Sequence, residues 1–171
     1  MLRQFDNYQI RHWRDEDLPA IVKYANNRKI ATNLRDTFPH PYTKSDAEDY
    51  LSLVKKQEPR TFFAIATEKE AIGSIGLMFG KDVHRFTAEF GYWLAESFWG
   101  KGIMTMAVKE FSKFVFQQFK LFRLYAEPFT NNPASARVLE KAGFTREAVL
   151  RANVFKDGEI LDQFVYTMVR V

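Results

Sequence analysis

Apolar positions recur along this chain in two rhythms, and each rhythm predicts a different kind of element. Tyr8-Gln9-Ile10-Arg11-His12-Trp13 alternates, which predicts a first strand. Leu18, Ile21, Val22 and Ala25 then follow at helical spacing, with Asp15 placed to cap the helix. Asn26-Asn27-Arg28 interrupts that stripe, and a shorter helix reaching about Leu34 is expected beyond it. Phe38-Pro39-His40-Pro41 predicts a loop, because proline fixes its own φ and restricts the residue before it. Ser45-Asp46-Ala47-Glu48 begins another helix, which ends near Gln57.

The rhythm then shortens. Residues 61–67, 71–78 and 87–94 are three β-rich runs separated by polar turns, which predicts an antiparallel meander. A loop, Ser97-Phe98-Trp99-Gly100-Lys101-Gly102, leads into a helix with Ile103, Ala107, Phe111, Phe114, Val115 and Phe119 on one stripe. That aromatic stripe reads as core packing. A short strand over 124–129, a helix over 131–141 stopped by Gly143, and a hairpin of 147–155 with 159–169 complete the chain. The expected fold class is α+β: a mixed, mostly antiparallel central sheet of about seven strands flanked by helices.

A chain of 171 residues is about one domain in length. With 46% hydrophobic and 27% charged residues, its composition excludes disorder, collagen and coiled coil. The absence of cysteine removes a thiol nucleophile, thiolate metal sites and disulfides, and fits a cytoplasmic protein. His12, His40 and His84 have no mutual spacing that suggests a metal site, so no metal is expected. The longest stretch without charge or histidine, residues 71–80, is too short to span a membrane, and the first residues lack the apolar segment of a secretory signal. The formal charge of +4 is spread evenly. Residues 1–60 carry 11 basic and 9 acidic side chains, and no basic block forms, which argues against nucleic acid as the partner.

One motif carries chemistry by its position. Gly100-Lys101-Gly102 lies between a strand and a helix, where free backbone N–H groups favour an anion such as a pyrophosphate. The first acidic residue after the loop is Glu110, so no carboxylate offsets the positive helix end. Glu89-Phe90-Gly91-Tyr92-Trp93-Leu94, Phe98-Trp99-Gly100-Lys101-Gly102-Ile103-Met104-Thr105 and Asn132-Pro133-Ala134-Ser135-Ala136-Arg137-Val138-Leu139-Glu140-Lys141-Ala142-Gly143-Phe144 occur in that order. Together they resemble the GNAT superfamily of N-acetyltransferases, and within it the RimJ/RimL-like, ribosomal-protein-alanine acetyltransferase branch. The superfamily loop is often written Arg/Gln-x-x-Gly-x-Gly/Ala. Here its first position is Trp99 and its last is Met104, a variation that the branch tolerates.

The resemblance implies one acetyltransferase domain over 8–171, with acetyl-CoA as co-substrate. It implies coenzyme contacts from Tyr92, Trp93, Leu94, Trp99, Gly100, Lys101, Gly102, Ile103, Met104, Thr105, Asn132, Ser135 and Arg137. It also implies a splayed strand at Gly91. An amine must be neutral to attack a thioester, and the departing thiolate needs a proton. Glu89 is the candidate base. Ser135 is the candidate acid, acting directly or through water. Some relatives use a tyrosine one turn later, where this chain has Leu139. The expected acceptor wall includes Asn33, Arg35, Phe38, His40 and Tyr42, with Asn153 and Phe155 of the hairpin beside it. Between Arg28 and Tyr42 only Asp36 is acidic, against Arg28, Lys29 and Arg35. A polyamine site should gather carboxylates. The acceptor expected here is therefore a peptide N-terminus or a small monoamine, with the protein a monomer or homodimer. A non-catalytic acyl-CoA-binding or sensor domain is the competing reading; Glu89 and Ser135 together favour an enzyme.

Overall fold

In a computed structural model, which describes residues 2–170, the chain forms eight strands and five helices. In chain order these are β1 (Arg3–Phe5), β2 (Tyr8–Arg11), α1 (Leu18–Ala25), α2 (Arg28–Ala31), α3 (Lys44–Lys56), β3 (Phe62–Ala66), β4 (Ala71–Phe79), β5 (Thr87–Leu94), α4 (Ile103–Gln118), β6 (Arg123–Ala126), α5 (Pro133–Ala142), β7 (Thr145–Lys156) and β8 (Glu159–Val169). One sheet has the order β1-β2-β3-β4-β5-β6-β8-β7. Every pairing with a described register is antiparallel except β5 with β6, which is parallel. The expected α+β class with a mixed sheet is therefore observed, with eight strands rather than about seven. The additional strand is β1, whose three residues are too few for alternation to reveal. It turns back onto β2 through Asp6, at φ 46°.

The chain divides into two compact units. The first runs from the N-terminus to Gly76 and includes Tyr92–Ile103. Its core gathers Trp13, Ile21, Ala25, Tyr42, Ala47, Leu51, Val54, Ala64 and Ala71, all almost fully removed from water. Burying a large apolar side chain is worth about 1.5–3 kcal/mol. Local electrostatics refine the helix starts. Asp15 lies in a short 3-10 turn, Asp15–Asp17, and Asp17 rather than Asp15 stands at the start of α1. Asp17 is buried and grips Arg11 through two hydrogen bonds of 2.7 Å, and it accepts the Arg14 N–H at 2.9 Å. A carboxylate so engaged is unavailable as a solvent-facing cap. Helix α3 starts one residue before Ser45, because Thr43 and Asp46 form a reciprocal capping box.

The second unit comprises Leu77–Gly91 and the chain from Met104 onward. Its buried side chains include Phe90, Phe111, Val115, Leu124, Leu139 and Tyr166. The rings of Phe90 and Phe144 lie 5.0 Å apart, and those of Phe79 and Phe119 lie 5.2 Å apart. The helical aromatic stripe is thus core, as its spacing predicts. Strand β6 is shorter than expected, ending at Ala126 just before Glu127-Pro128. Gly143, at φ 97°, ends α5, and its N–H bonds the Glu140 carbonyl at 3.0 Å. Among the described residues no helix is long and apolar enough to cross a membrane.

Candidate active site

The glycine loop belongs to the first unit. Strand β5 ends at Leu94, a 3-10 turn spans Glu96–Phe98, and Gly100 and Gly102 adopt φ values of 73° and 74°. A Cβ added at either glycine would meet no atom within 4 Å. Glycine is therefore required here by left-handed backbone, not by lack of space. Helix α4 begins directly after Gly102 and has no acidic residue in its first turn. Left-handed glycines feeding an uncompensated helix start expose backbone N–H groups where an anion is favoured. Trp99, half-exposed, donates its indole N–H to the Leu94 carbonyl at 2.7 Å. The Lys101 ammonium donates to the Ser97 carbonyl at 3.0 Å and lies 5.2 Å from the centre of the Phe98 ring.

Several predicted contact residues have buried side chains. Leu94 and Met104 are 6% exposed and Ile103 is 1% exposed. Anything these positions offer a ligand comes from the backbone. Tyr92, Trp93 and Thr105 are half-buried, so their side chains retain exposed surface.

The segment predicted as the acceptor wall also lies in the first unit. Asn33 donates to the Lys29 carbonyl at 2.9 Å, and Arg35 and His40 are exposed. The Phe38 ring lies 5.0 Å from that of Tyr42, tilted by 42°, and meets Trp93 edge-on at 5.9 Å. Tyr42 is only 6% exposed and packs in the core, and its N–H donates to the Asn26 side chain at 3.0 Å. Burial pushes the Tyr42 phenol well above its ordinary value, as its place in the core requires.

The second unit holds Glu89, Asn132, Ser135 and Arg137. Glu89 is half-buried on β5, opposite Tyr125 of β6. The parallel register couples Thr87–Glu89 to Arg123–Tyr125, while β5 continues to Leu94. Gly91 lies two residues beyond the last described pair of β5 with β6, and a Cβ there would meet nothing within 4 Å. This glycine is not making room for a neighbouring ring. Asn132 caps α5 by accepting the Ser135 N–H at 3.2 Å, ahead of Pro133. Ser135 is half-buried and Arg137 exposed. Leu139 is fully buried. On the hairpin, Asn153 donates to Gln163 at 2.6 Å, Gln163 donates to the Glu127 carbonyl at 2.9 Å, and Phe155 is 69% exposed. Among the described residues no group of three or more histidines, aspartates or glutamates is arranged to hold a metal.

Two polar contacts beside these positions join residues that no motif pairs. Tyr166, 1% exposed, donates to Glu140 of α5 at 2.7 Å. Burial and that carboxylate push its phenol up to about 12. Glu96, at the foot of the glycine loop, is held by Asn27 and Lys29. The one available signal was Asn27, a cap-type residue where the first helical stripe breaks.

Residues 8–145 match the family model described as "Acetyltransferase (GNAT) domain". The chain is 37% identical over 152 residues to the probable N-acetyltransferase YjcK of Bacillus subtilis, covering 81% of this chain and 83% of that one. A shorter match to the uncharacterized N-acetyltransferase YoaA of Bacillus subtilis, 36% over 102 residues, covers 60% of this chain and 57% of that protein. The spermidine N(1)-acetyltransferase of Vibrio cholerae is 28% identical over 148 residues, covering 85% and 83%. Among solved structures, RimL, a ribosomal L7/L12 alpha-N-protein acetyltransferase in complex with coenzyme A, superposes with a TM-score of 0.87. It is 19% identical and covers 98% of this chain and 97% of that one, a likeness of fold. With its mixed sheet, its left-handed glycine loop and the family match over most of its length, the chain belongs to the GNAT family of N-acetyltransferases, enzymes whose acyl donor is acetyl-CoA.

Proposed function

We propose that this chain, as one acetyltransferase domain over residues 8–171, moves the acetyl group of acetyl-CoA to a primary amine of a peptide N-terminus or a small monoamine. The observation that carries the reading is the pair of left-handed glycines, Gly100 and Gly102, ahead of a helix whose first turn has no acid. That arrangement suits a pyrophosphate. Acetyl-CoA supplies an activated thioester, and the protein's own tasks are binding, orientation and proton management. Glu89 takes a proton from the acceptor ammonium, directly or through water. The freed nitrogen lone pair attacks the thioester carbonyl carbon, the C–S bond breaks, the thiolate receives a proton from Ser135 or water, and the second proton shed by the newly acylated nitrogen replaces the one given up. Direct transfer is the natural route because the chain has no cysteine to carry an acyl group.

The acceptor assignment rests on charge. The segment from Arg28 to Tyr42 holds three cations and one acid, which repels a polycation and tolerates a single amine on a neutral or acidic carrier. A relative named for a ribosomal protein is in line with the peptide acceptor, and one named for spermidine is the competing case. The test measures acetyl-CoA turnover against polyamines, aminoglycosides, amino acids and N-terminal peptides. Turnover of peptides or monoamines above polyamines is expected. Efficient turnover of spermidine with none on any peptide or amino acid overturns the acceptor assignment. Thermal unfolding tests the coenzyme reading: acetyl-CoA at about 100 times its Kd adds roughly 2.7 kcal/mol of stability. That gain is expected to vanish in Gly102→Glu, and its absence in the wild type at millimolar ligand overturns the reading.

A further inference from the structure

The glycine loop is anchored at its foot from outside the loop. Asn27 uses both ends of its side-chain amide. The oxygen accepts the Lys29 N–H at 2.9 Å and caps α2, and the nitrogen donates to Glu96 Oε2 at 2.8 Å. Lys29 Nζ pairs with the other oxygen, Glu96 Oε1. Both oxygens of one carboxylate are thus engaged by one helix start. The Lys29 bond, and next the Asn27 bond, hold the Glu96 carboxyl below its ordinary range. Glu96 opens the 3-10 turn that leads into Trp99, Gly100, Lys101 and Gly102, and its carbonyl accepts the Trp99 N–H at 3.0 Å. Tyr24 of α1 meets Phe98 of the same turn edge-on at 6.1 Å, and the Ala95 N–H bonds the Ile72 carbonyl at 2.8 Å. The side chains of Lys29 and Glu96 are 68% and 39% exposed. An ion pair that open contributes little to stability, so the main consequence of the contact is where it holds the turn.

We infer that Asn27 and Glu96 are positioning residues for the coenzyme loop: clamped to the start of α2, the turn presents Gly100 and Gly102 in their left-handed conformations. The inference rests on the reading of this loop as the acetyl-CoA site. Calorimetric titration of acetyl-CoA into the intact chain tests it. Asn27→Ser keeps a capping oxygen for α2 but loses the amide donor to Glu96. Glu96→Gln keeps the shape and removes the charge. Each is expected to weaken acetyl-CoA binding about two- to tenfold, the equivalent of one net hydrogen bond. The effects of the two variants should be less than additive in the double variant, because the Asn27–Glu96 hydrogen bond is common to both while the Lys29 ion pair is lost only in Glu96→Gln. Thr43→Ala, which removes the cap of α3 within the same unit, should lower the melting temperature and leave acetyl-CoA affinity within twofold. Should Asn27→Ser fail to fold, Glu96→Gln carries the test alone. Wild-type binding by both variants beside impaired Gly102→Glu overturns the positioning role only. Equal weakening in Thr43→Ala overturns it too, since loss of stability then accounts for the effect. A wild-type chain that does not bind acetyl-CoA overturns the reading of the loop itself.

Discussion

Asn132 holds the backbone N–H of Ser135 on its side-chain oxygen at 3.2 Å, so the residue that caps α5 also orients the serine proposed as proton donor. Asn132→Ala is expected to destabilise the chain by about 1 kcal/mol through the lost cap. Asn132→Ser should recover most of that stability. Denaturant melts of the three proteins check both values.

The proposed chemistry divides between Glu89 and Ser135. Glu89→Gln keeps the size of the side chain and removes the basic oxygen. It should lower kcat by about 10²- to 10⁴-fold and flatten the acidic limb of the pH–rate profile. Ser135→Ala should cost less if water can deliver the proton in its place. An unaltered Glu89→Gln profile would reduce that residue to a structural carboxylate. A Ser135→Ala loss as large as the Glu89→Gln loss would mark direct proton donation.

Arg11 and Asp17 form a buried, doubly bonded ion pair whose side chains are 5% and 4% exposed. Asp17→Ala strands a buried guanidinium and is expected to cost about 3–5 kcal/mol. It also leaves the Arg14 N–H without its acceptor. Replacing both charges with apolar side chains of similar volume should restore much of the loss, because the pair's desolvation cost disappears along with its attraction. Equilibrium unfolding of the single and double variants decides the matter.

Acid sensitivity has an identifiable contributor in Glu147. Hydrogen bonds from Arg123, at 2.8 and 2.6 Å, and then from Thr167, at 2.6 Å, hold its carboxyl down at about 2 against an ordinary 4.5. A depressed native value stabilises the fold above the ordinary pKa. That contribution is lost as pH falls from about 4.5 towards 2. Glu147→Gln should therefore be less stable than wild type at neutral pH, with the gap closing across that window. Melting temperatures measured from pH 7 to pH 2 on both proteins show whether it does. The pair is partly exposed, so the gap should be modest and should shrink in high salt.

Sequence alone determined the local elements and the family motifs. The switch from helical to alternating periodicity located the strands after residue 60. Gly143 marked the end of α5, and Gly100-Lys101-Gly102 marked a backbone that must turn left-handed before a helix. These features depend on neighbouring residues, whose steric and hydrogen-bonding preferences act at short range. Element ends were less legible. Asp15 has the type and place of a cap for α1, but a short 3-10 turn intervenes and Asp17, paired with the buried Arg11, stands at the helix start. Strand β1 leaves no signal in the sequence because three residues carry no rhythm, and its existence depends on pairing with β2.

Tertiary structure decided which side chains face solvent and which distant residues meet. The motif implies Leu94, Ile103 and Met104 as coenzyme contacts, yet packing removes their side chains from water, so any contact with a ligand is limited to their backbones. Tyr42 read as part of an open wall and lies in the core. The contacts of Asn27 with Glu96 and of Tyr166 with Glu140 join residues far apart in the chain. No local preference encodes such pairs. They form only after helices and strands pack, when a buried or half-buried polar group must find its partner wherever the fold brings one near.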